Sequence, residues 1–257
     1  MGIVNVTPDS FSDGDVNFRA EDAVASARRM VGEGAAIVDV GGESTRPGSE
    51  GVSLDEELRR VVPVLENLAG LPVSIDTAKA EVARRALELG AEMVNDVTAL
   101  RADPGLAEVA AEADAYVCLM HMQGEPRTMQ ANPTYDDVVW DVKRFLEERL
   151  QYAVDSGIRE DLICIDPGIG FGKTVEHNFE LIRRLGEIAA LGRPVLVGFS
   201  RKSSLGKILG DPKATTGPLS ASIAASVTAY ERGATIFRVH DVKEQVEALT
   251  AARAVVG

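Results

Sequence analysis

Eight short runs rich in valine and isoleucine recur along the chain, and each ends at or just before a polar side chain. The polar residues are Asn5, Asp39, Asp76, Asn95, His121, Asp166, Ser200 and Arg238. Helix-length stretches separate the runs. Four of these stretches, residues 19–33, 54–69, 79–89 and 242–256, show apolar residues at the i, i+3, i+4 spacing of a helix that packs on a sheet. This alternation predicts an α/β protein with a parallel sheet.

Eight strand–helix repeats in a chain of 257 residues favour one architecture, the TIM (β/α)8 barrel, whose active site lies at the carboxyl ends of the strands. The predicted strands are residues 2–6, 36–40, 72–76, 92–96, 115–121, 162–166, 194–199 and 235–240. Glycines that would end helices stand at Gly34, Gly70, Gly90 and Gly157. An open doubly wound sheet is the alternative, but it needs a topological switch and usually has fewer repeats. We expect one domain over residues 1–257.

Composition narrows the possible partners and compartment. The net charge of −13 argues against nucleic acid, because binding a phosphate backbone needs a basic face. Cys118 and Cys164 lie inside predicted strands without metal-type spacing, which favours two core residues in a reducing cytoplasm. Met1 runs straight into the first strand, and no apolar run is long enough to span a bilayer. We therefore expect a cytoplasmic protein that binds neither nucleic acid nor membrane.

Six basic side chains are expected on one rim of the barrel. They follow predicted strands, at Arg46, Lys173, Arg201, Lys202, Arg238 and His240. Any one of them is more simply a solvated surface group. Together, on the end where such barrels carry out chemistry, they predict a local site for an anion.

The segment DPGIGFGK, residues 166–173, ends a predicted strand with a carboxylate and then has three glycines in five residues. Asp-Pro-Gly is also an ordinary turn. If Asp76, Asn95 and Asp166 all project inward, two carboxylates and an amide can hydrogen-bond a flat ring with amino and ring N–H donors, such as a pterin or guanine-like ring. Asn5 and Asp13 could hold magnesium, although Asn and Asp at strand ends more often make turns.

Two loops are long for strand-to-helix connections, residues 6–15 and residues 41–53. The first loop carries the aromatic Phe11, and the second carries Arg46 on a Thr-Arg-Pro-Gly turn. Such loops can close over a substrate. The alternative is a pair of flexible surface loops without a role in binding.

The chain resembles the dihydropteroate synthases, the folate-pathway enzymes that sulfonamides target. The resemblance covers nearly the whole chain and consists of eight ordered motifs: MGIVNVTPDSFSDG (1–14), DVGGESTRPG (39–48), SIDT (74–77), VND (94–96), LMHMQG (119–124), DPGIGFGK (166–173), GFSRKS (198–203) and RVHDVKE (238–244). It implies that the chain joins 6-hydroxymethyl-7,8-dihydropterin pyrophosphate to 4-aminobenzoate, giving 7,8-dihydropteroate and pyrophosphate. It also implies a Mg2+ cofactor and a homodimer.

The same resemblance implies roles for individual residues. The pterin-binding residues would be Asp76, Asn95, Asp166 and Lys202. Pyrophosphate would be held by Asn5, Arg238 and His240, and magnesium by Asn5 and Asp13. The 4-aminobenzoate pocket would comprise Phe11, Thr45, Arg46, Pro47, Phe171, Ser200 and Lys202. Asp76, Asp166, Lys202, Arg238 and His240 would serve catalysis, through a loose, SN1-like loss of Mg-pyrophosphate.

One departure and two alternatives accompany this resemblance. The family usually has a second glycine where this chain has Asp15. Pterin barrels that transfer a methyl group from methyltetrahydrofolate share the fold, but they have no reason to carry the TPDSF, STRPG and SRKS motifs. A catalytically dead homologue would be expected to lose Arg46, Lys202 or His240, and all three are present.

Overall fold

The computed structural model of the protein describes residues 1–6, 16–45, 48–49 and 51–256. In these ranges each strand is followed by one or two helices, and a 3₁₀ turn at Glu160–Leu162 precedes the sixth strand. The strands are β1 (Gly2–Asn5), β2 (Val38–Gly41), β3 (Val73–Asp76), β4 (Met93–Asp96), β5 (Tyr116–Met120), β6 (Ile163–Asp166), β7 (Val195–Val197) and β8 (Ala234–Phe237). The helices are α1 (Val16–Gly32), α2 (Leu54–Glu66), α3 (Ala80–Glu88), α4 (Gly105–Glu112), α5 (Val138–Asp155), α6 (Val175–Arg183), α7 (Leu185–Ala189), α8 (Ser203–Ile208), α9 (Leu219–Glu231) and α10 (Val242–Val256).

All eight strands belong to one parallel sheet in the order β1-β2-β3-β4-β5-β6-β7-β8. The predicted α/β class and the eight parallel strands are confirmed. Val239, two residues beyond β8, forms an isolated parallel bridge with Gly2 of β1. Its carbonyl accepts a hydrogen bond from the Ile3 amide at 3.0 Å.

Every residue of β2, β3, β4 and β6 is buried, so both faces of the sheet are covered along these strands. One face packs on the helices, through a core that includes Val38, Val40, Ile75, Val94, Val117 and Leu119. The other face carries a smaller apolar cluster of Met93, Cys118, Cys164 and Leu196. Because side chains alternate along a strand, Asn95 and Asp166 share this inner face with Met93 and Cys164 and lie one step nearer the carboxyl end. Apolar residues thus fill one end of the inner face, and polar residues follow them.

Four helices end shortly before the glycines that the sequence predicted as helix ends. Gly34, Gly70, Gly90 and Gly157 all have positive φ, between 83° and 101°. The predicted range of α10, residues 242–256, matches the structure. Helix α9 was not predicted, because its sequence LSASIAASVTAYE is rich in small residues on every face. It buries Ser222, Ser226 and Ala229, so it packs through small side chains instead of an apolar stripe.

The two cysteines are free and buried in the sheet interior, as predicted. A hydrogen bond with Cys164, together with burial, raises the pKa of the Cys118 thiol well above its ordinary value. Within the described ranges, no helix combines the length and the apolar run needed to cross a bilayer.

Candidate active site

Five polar side chains meet on the inner face at the carboxyl ends of the strands; four of them are buried and Arg238 is partly exposed. We call this group the strand-end cup, and it consists of Asp39, Asp76, Asn95, Asp166 and Arg238. Asp76, Asn95 and Asp166 come from β3, β4 and β6, and each is at most 7% exposed. The strand pattern placed these three together correctly. It assigned no role to Asp39, which is completely buried.

Arg238 connects two carboxylates of the cup. Its Nε donates to Asp39 Oδ2 at 2.6 Å, and its Nη2 donates to Asp76 Oδ2 at 2.8 Å. Asn95 Nδ2 also donates to Asp39 Oδ2, at 2.9 Å. Asp39 Oδ1 is buried and has no hydrogen-bond partner among the described residues. Asp39 therefore orients both Arg238 and the amide of Asn95.

Burial shifts the protonation equilibria of the cup. It raises the pKa of Asp76 to about 7, although Arg238 opposes the shift. Burial also raises the pKa of Asp166 to about 6, against the hydrogen bond that Asp166 Oδ1 accepts from the Gly168 amide at 2.7 Å. Desolvation lowers the pKa of Arg238, but Asp39 and Asp76 outweigh it and the net shift is upward. A ligand that brings N–H donors into this low-dielectric cup would favour the ionised carboxylates.

The glycines after Asp166 let the chain pass very close to the segment that follows β5. Gly168 has a φ of +70°, and a Cβ there would lie 1.8 Å from the carbonyl oxygen of His121. A Cβ on Gly172 would lie 2.4 Å from the carbonyl oxygen of Gln123. The Gly170 amide donates to Asn178 Oδ1 at 2.7 Å. This packing is much tighter than that of an ordinary surface turn, so the turn alternative does not explain the three glycines.

Lys173 lies beneath this glycine segment instead of on the rim where the sequence placed it. It is 2% exposed, and its Nζ lies 3.0 Å from Phe171 O, 3.3 Å from His121 O and 2.9 Å from His121 Nδ1. Desolvation lowers the pKa of Lys173 to about 7. Desolvation, and then the charge of Lys173, lowers the pKa of His121 to about 2, so His121 is neutral and accepts at Nδ1. Lys173 and His121 hold Phe171 and the glycine segment in place.

The rim beyond β7 and β8 is less basic than predicted. Ser200 Oγ lies 3.0 Å from His240 Nδ1 and accepts a hydrogen bond from the His240 backbone amide at 3.2 Å. Desolvation, then Arg201 and Arg238, lowers the pKa of His240 to about 4, so its imidazole is neutral at pH 7. Arg201 pairs with Asp241, with Nη2–Oδ1 at 2.5 Å. Among the predicted rim cations that the structure describes, Lys173 is buried against backbone carbonyls, Arg201 pairs with Asp241, and Arg238 pairs with Asp39 and Asp76.

Phe171 and Lys202 contact each other across the glycine segment. Lys202 Nζ lies 4.4 Å from the centroid of the Phe171 ring, within the range of a cation–π interaction. Phe171 also packs against the apolar cluster of Val97, Met120, Met122 and Met129. Gly170 leaves the space in which the Lys202 side chain lies, since a Cβ there would be 3.3 Å from Lys202 Cδ. The positive charge of Lys202 also acts on Asp166 and partly offsets the rise in the Asp166 pKa that burial causes.

A cavity of about 840 Å³ adjoins the cup at Asp76, over the ends of β2 to β5. Its size lies within the range of roughly 300–1,000 Å³ that is usual for small-molecule sites. Thr45, predicted for aminobenzoate, lines the cavity together with Thr77, Lys79 and Glu43. The other predicted aminobenzoate residues are distributed differently: Phe171 and Lys202 contact each other, and Ser200 contacts His240. Phe11, Asp13, Arg46 and Pro47 lie outside the described residues.

The predicted magnesium site has one described member. Asn5 is the last residue of β1, is partly exposed and pairs in register with Gly41. Its carboxamide offers the oxygen ligand that a hard cation prefers. Over the ranges that the structure describes, no three His, Cys, Asp or Glu side chains group as a metal-binding set. The magnesium assignment therefore stays a prediction.

Comparisons with known proteins agree with this geometry. A family model described as "Pterin binding enzyme" matches residues 1–240. The dihydropteroate synthase of Escherichia coli K12 is 49% identical over 255 residues, which cover 97% of this chain and 88% of the relative. A crystal structure of Yersinia pestis dihydropteroate synthase with a sulfonamide drug complex superimposes with a TM-score of 0.91 at 45% identity, covering 100% of this chain and 93% of that one. Xanthomonas albilineans dihydropteroate synthase with 4-aminobenzoic acid gives a TM-score of 0.91 at 48% identity, covering 100% and 92%. The resemblance read from the eight motifs is confirmed, and the chain belongs to the dihydropteroate synthase family of pterin-binding enzymes.

Proposed function

We propose that this protein condenses 6-hydroxymethyl-7,8-dihydropterin pyrophosphate with 4-aminobenzoate, forming 7,8-dihydropteroate and releasing pyrophosphate. The observation that carries the proposal is the strand-end cup, in which Asp76, Asn95 and Asp166 are buried together at the carboxyl ends of neighbouring parallel strands. The family supports the same reaction, since solved relatives are described with 4-aminobenzoic acid and with 7,8-dihydropteroate.

The cup suits a pterin ring because its acceptors match the ring's N–H donors. Ionised Asp76 and Asp166 would accept from the ring amino group and ring N–H groups. The hydrogen bond from Asn95 Nδ2 to Asp39 fixes the amide, so the Asn95 carbonyl oxygen faces away from Asp39 as an acceptor. Lys202, over the Phe171 ring, would close the cup on the side of β6 and β7.

The pyrophosphate would lie towards β8 and β1, near Arg238, His240 and Asn5. Arg238 would neutralise charge on the leaving group while it keeps its contacts to Asp39 and Asp76. His240, neutral and held by Ser200 at Nδ1, can offer its Nε2–H to a phosphate oxygen. Mg2+, held by Asn5 and Asp13, would supply further positive charge to the leaving pyrophosphate.

Loose departure of pyrophosphate leaves positive charge spread over the pterin and its methylene carbon. Asp76 and Asp166, in a low-dielectric cup, would stabilise that charge more strongly than exposed carboxylates could. The aniline nitrogen of 4-aminobenzoate would then attack the methylene carbon. We assign the 4-aminobenzoate pocket to Thr45, Phe171, Ser200 and Lys202 with Phe11, Arg46 and Pro47.

We propose that the sheet closes into a TIM barrel, which the bridge between Gly2 and Val239 supports, and that the chain is one domain. A homodimer is supported by the family resemblance. The buried free thiols of Cys118 and Cys164 support a reducing cytoplasm.

Product analysis tests the proposed reaction. Purified protein with Mg2+, the pterin pyrophosphate and 4-aminobenzoate should form 7,8-dihydropteroate, detected by liquid chromatography and mass spectrometry. A methyl-transfer enzyme would instead consume methyltetrahydrofolate in the presence of a corrinoid acceptor. Absence of dihydropteroate from folded protein would contradict the proposal.

Pterin binding should depend on pH, because the cup carboxylates must be ionised to accept hydrogen bonds from the ring. Burial raises the pKa of Asp166 to about 6 and that of Asp76 to about 7. These groups are protonated below those values, so we expect the affinity for 6-hydroxymethylpterin to rise from pH 5 to pH 8. Isothermal titration calorimetry at half-unit intervals would measure it. Affinity that stays constant, or that falls over this range, would contradict the ionised cup.

A further inference from the structure

We propose that Lys79 and Glu57 are positioning residues that hold the base of the second loop, residues 41–53, and thereby set the affinity of the site for 4-aminobenzoate. The inference rests on the proposed function and extends it, because it assigns the binding of the second substrate to an ion-pair network behind the cavity wall. None of these side chains belongs to the strand-end cup.

Glu57 on α2 is the buried end of this network. It is 0% exposed, and its two carboxylate oxygens have different partners. Oε1 accepts from Thr77 Oγ1 at 2.6 Å, and Oε2 accepts from Lys79 Nζ at 2.5 Å. A buried carboxylate with both oxygens bonded is a rigid anchor, since losing Lys79 would leave its charge unpaired in the interior.

Lys79 links that anchor to the second loop. The same Nζ donates to Glu43, two residues before Thr45. Desolvation lowers the pKa of Lys79, but its bonds to Glu43 and Glu57 raise it by more, so Lys79 keeps its charge. Glu43, Thr45 and Lys79 all line the cavity beside Asp76. One cation therefore joins helix α2, the segment after β3 and the loop that carries the predicted aminobenzoate residues.

Backbone contacts hold the loop on both sides of the network. Arg60 Nη1 donates to Gly42 O at 2.8 Å, and a Cβ on Gly42 would lie 2.8 Å from Val61 Cγ1 on α2. Beyond Thr45, the Gly48 amide donates to Pro126 O at 3.1 Å. With the backbone held at Gly42 and Gly48, the side-chain bond from Glu43 to Lys79 fixes the direction in which the loop leaves the sheet.

The location of this ion-pair network predicts that its loss affects the binding of one substrate only. Its loop end, Glu43, lies beside Thr45, whereas the pterin cup is held separately by Asp39 and Arg238. Breaking the bond between Glu43 and Lys79 should weaken the binding of 4-aminobenzoate and leave the binding of the pterin unchanged. Glu57 is a poorer test, because its partner Thr77 adjoins Asp76 in the chain.

The test uses Glu43→Gln and Lys79→Met with pyrophosphate release as the assay and each substrate varied in turn. Glu43→Gln keeps the side-chain shape and leaves the Lys79–Glu57 bond intact. We expect the KM for 4-aminobenzoate to rise about fivefold or more in both variants, as for a lost charge-assisted bond of about 1 kcal/mol. The KM for the pterin pyrophosphate should stay within about twofold in Glu43→Gln, because that change leaves Glu57 paired with Lys79. Lys79→Arg, which can still bridge two carboxylates, should recover most of the affinity.

Two controls make the result decisive. Glu88→Gln is the matched change in an exposed ion pair, with Arg85 on α3, and should leave both KM values unchanged. The double variant should be no worse than Lys79→Met alone, because both changes act through one contact. In Glu43→Gln, equal losses for both substrates or an unchanged KM for 4-aminobenzoate would overturn the inference. If the unaltered protein released no pyrophosphate, the proposed function itself would fail, which is a different outcome.

Discussion

Asp166→Asn should lower turnover by roughly 10²–10³-fold while the protein remains folded. The asparagine keeps an oxygen that can accept from the Gly168 amide, so the glycine segment retains its anchor. Its amino group, however, replaces a carboxylate oxygen with a donor, and it faces the N–H donors of the pterin. The substitution also removes a negative charge from the place where positive charge develops on the pterin. The effect should appear in kcat and in pterin binding together.

Activity loss alone would not separate chemistry from folding. Circular dichroism and thermal melting should therefore show a near-normal fold for Asp166→Asn, and the exposed Asp161→Asn change should alter neither activity nor melting. A variant with close to normal turnover would show that the ionised carboxylate of Asp166 is not needed.

Arg238→Leu should lower the free energy of unfolding by about 3–5 kcal/mol, because it leaves two carboxylates buried without their cation. Asp39 is 0% exposed and already has one unpartnered oxygen among the described residues, and Asp76 is 7% exposed. Without Arg238, the pKa of Asp76, which burial already raises to about 7, should rise further above its unfolded value. The folded variant then binds more protons than the unfolded chain, so its stability falls as pH rises. The deficit relative to the unaltered protein should be smaller at pH 5 than at pH 8.

Urea denaturation at pH 5, 6.5 and 8 measures this deficit. Arg238→Lys should lower the free energy of unfolding by less than Arg238→Leu does. The lysine keeps a cation in the cup, although it cannot make the forked contact to two carboxylates. A deficit below about 1 kcal/mol, or one that does not change with pH, would contradict the role of Arg238 as the counter-charge of the cup.

The sequence predicted the members of the cup that strand alternation controls. Asn95 and Asp166 each follow an inward apolar residue by two positions, and Asp76 ends β3 directly after the outward Ile75. Alternation therefore fixes the face on which all three lie. Strand alternation could not predict which side chains form hydrogen bonds with these three. Arg238 and Asp39 are 199 positions apart, and only the arrangement of β2 and β8 brings their side chains together.

Residues whose role depends on burial were the hardest to assign. Lys173 follows a strand just as a rim cation would, and only its packing beneath His121 and Phe171 reveals a structural role. The sequence predicted His240 as one of the basic rim residues, but desolvation and the neighbouring arginines keep its imidazole neutral. Glu57 sits in an amphipathic helix where an acidic residue normally faces solvent. Its contact with Lys79 joins elements whose relative position the local pattern does not encode.

Pyrophosphate release with each component omitted in turn tests the central claim most directly. If the strand-end cup holds the pterin pyrophosphate for attack by 4-aminobenzoate, release sustained over many turnovers requires both substrates and Mg2+, and one pyrophosphate appears for each 7,8-dihydropteroate formed. Folded protein that releases pyrophosphate at the same rate without 4-aminobenzoate, or that releases none with all three components present, would contradict the account.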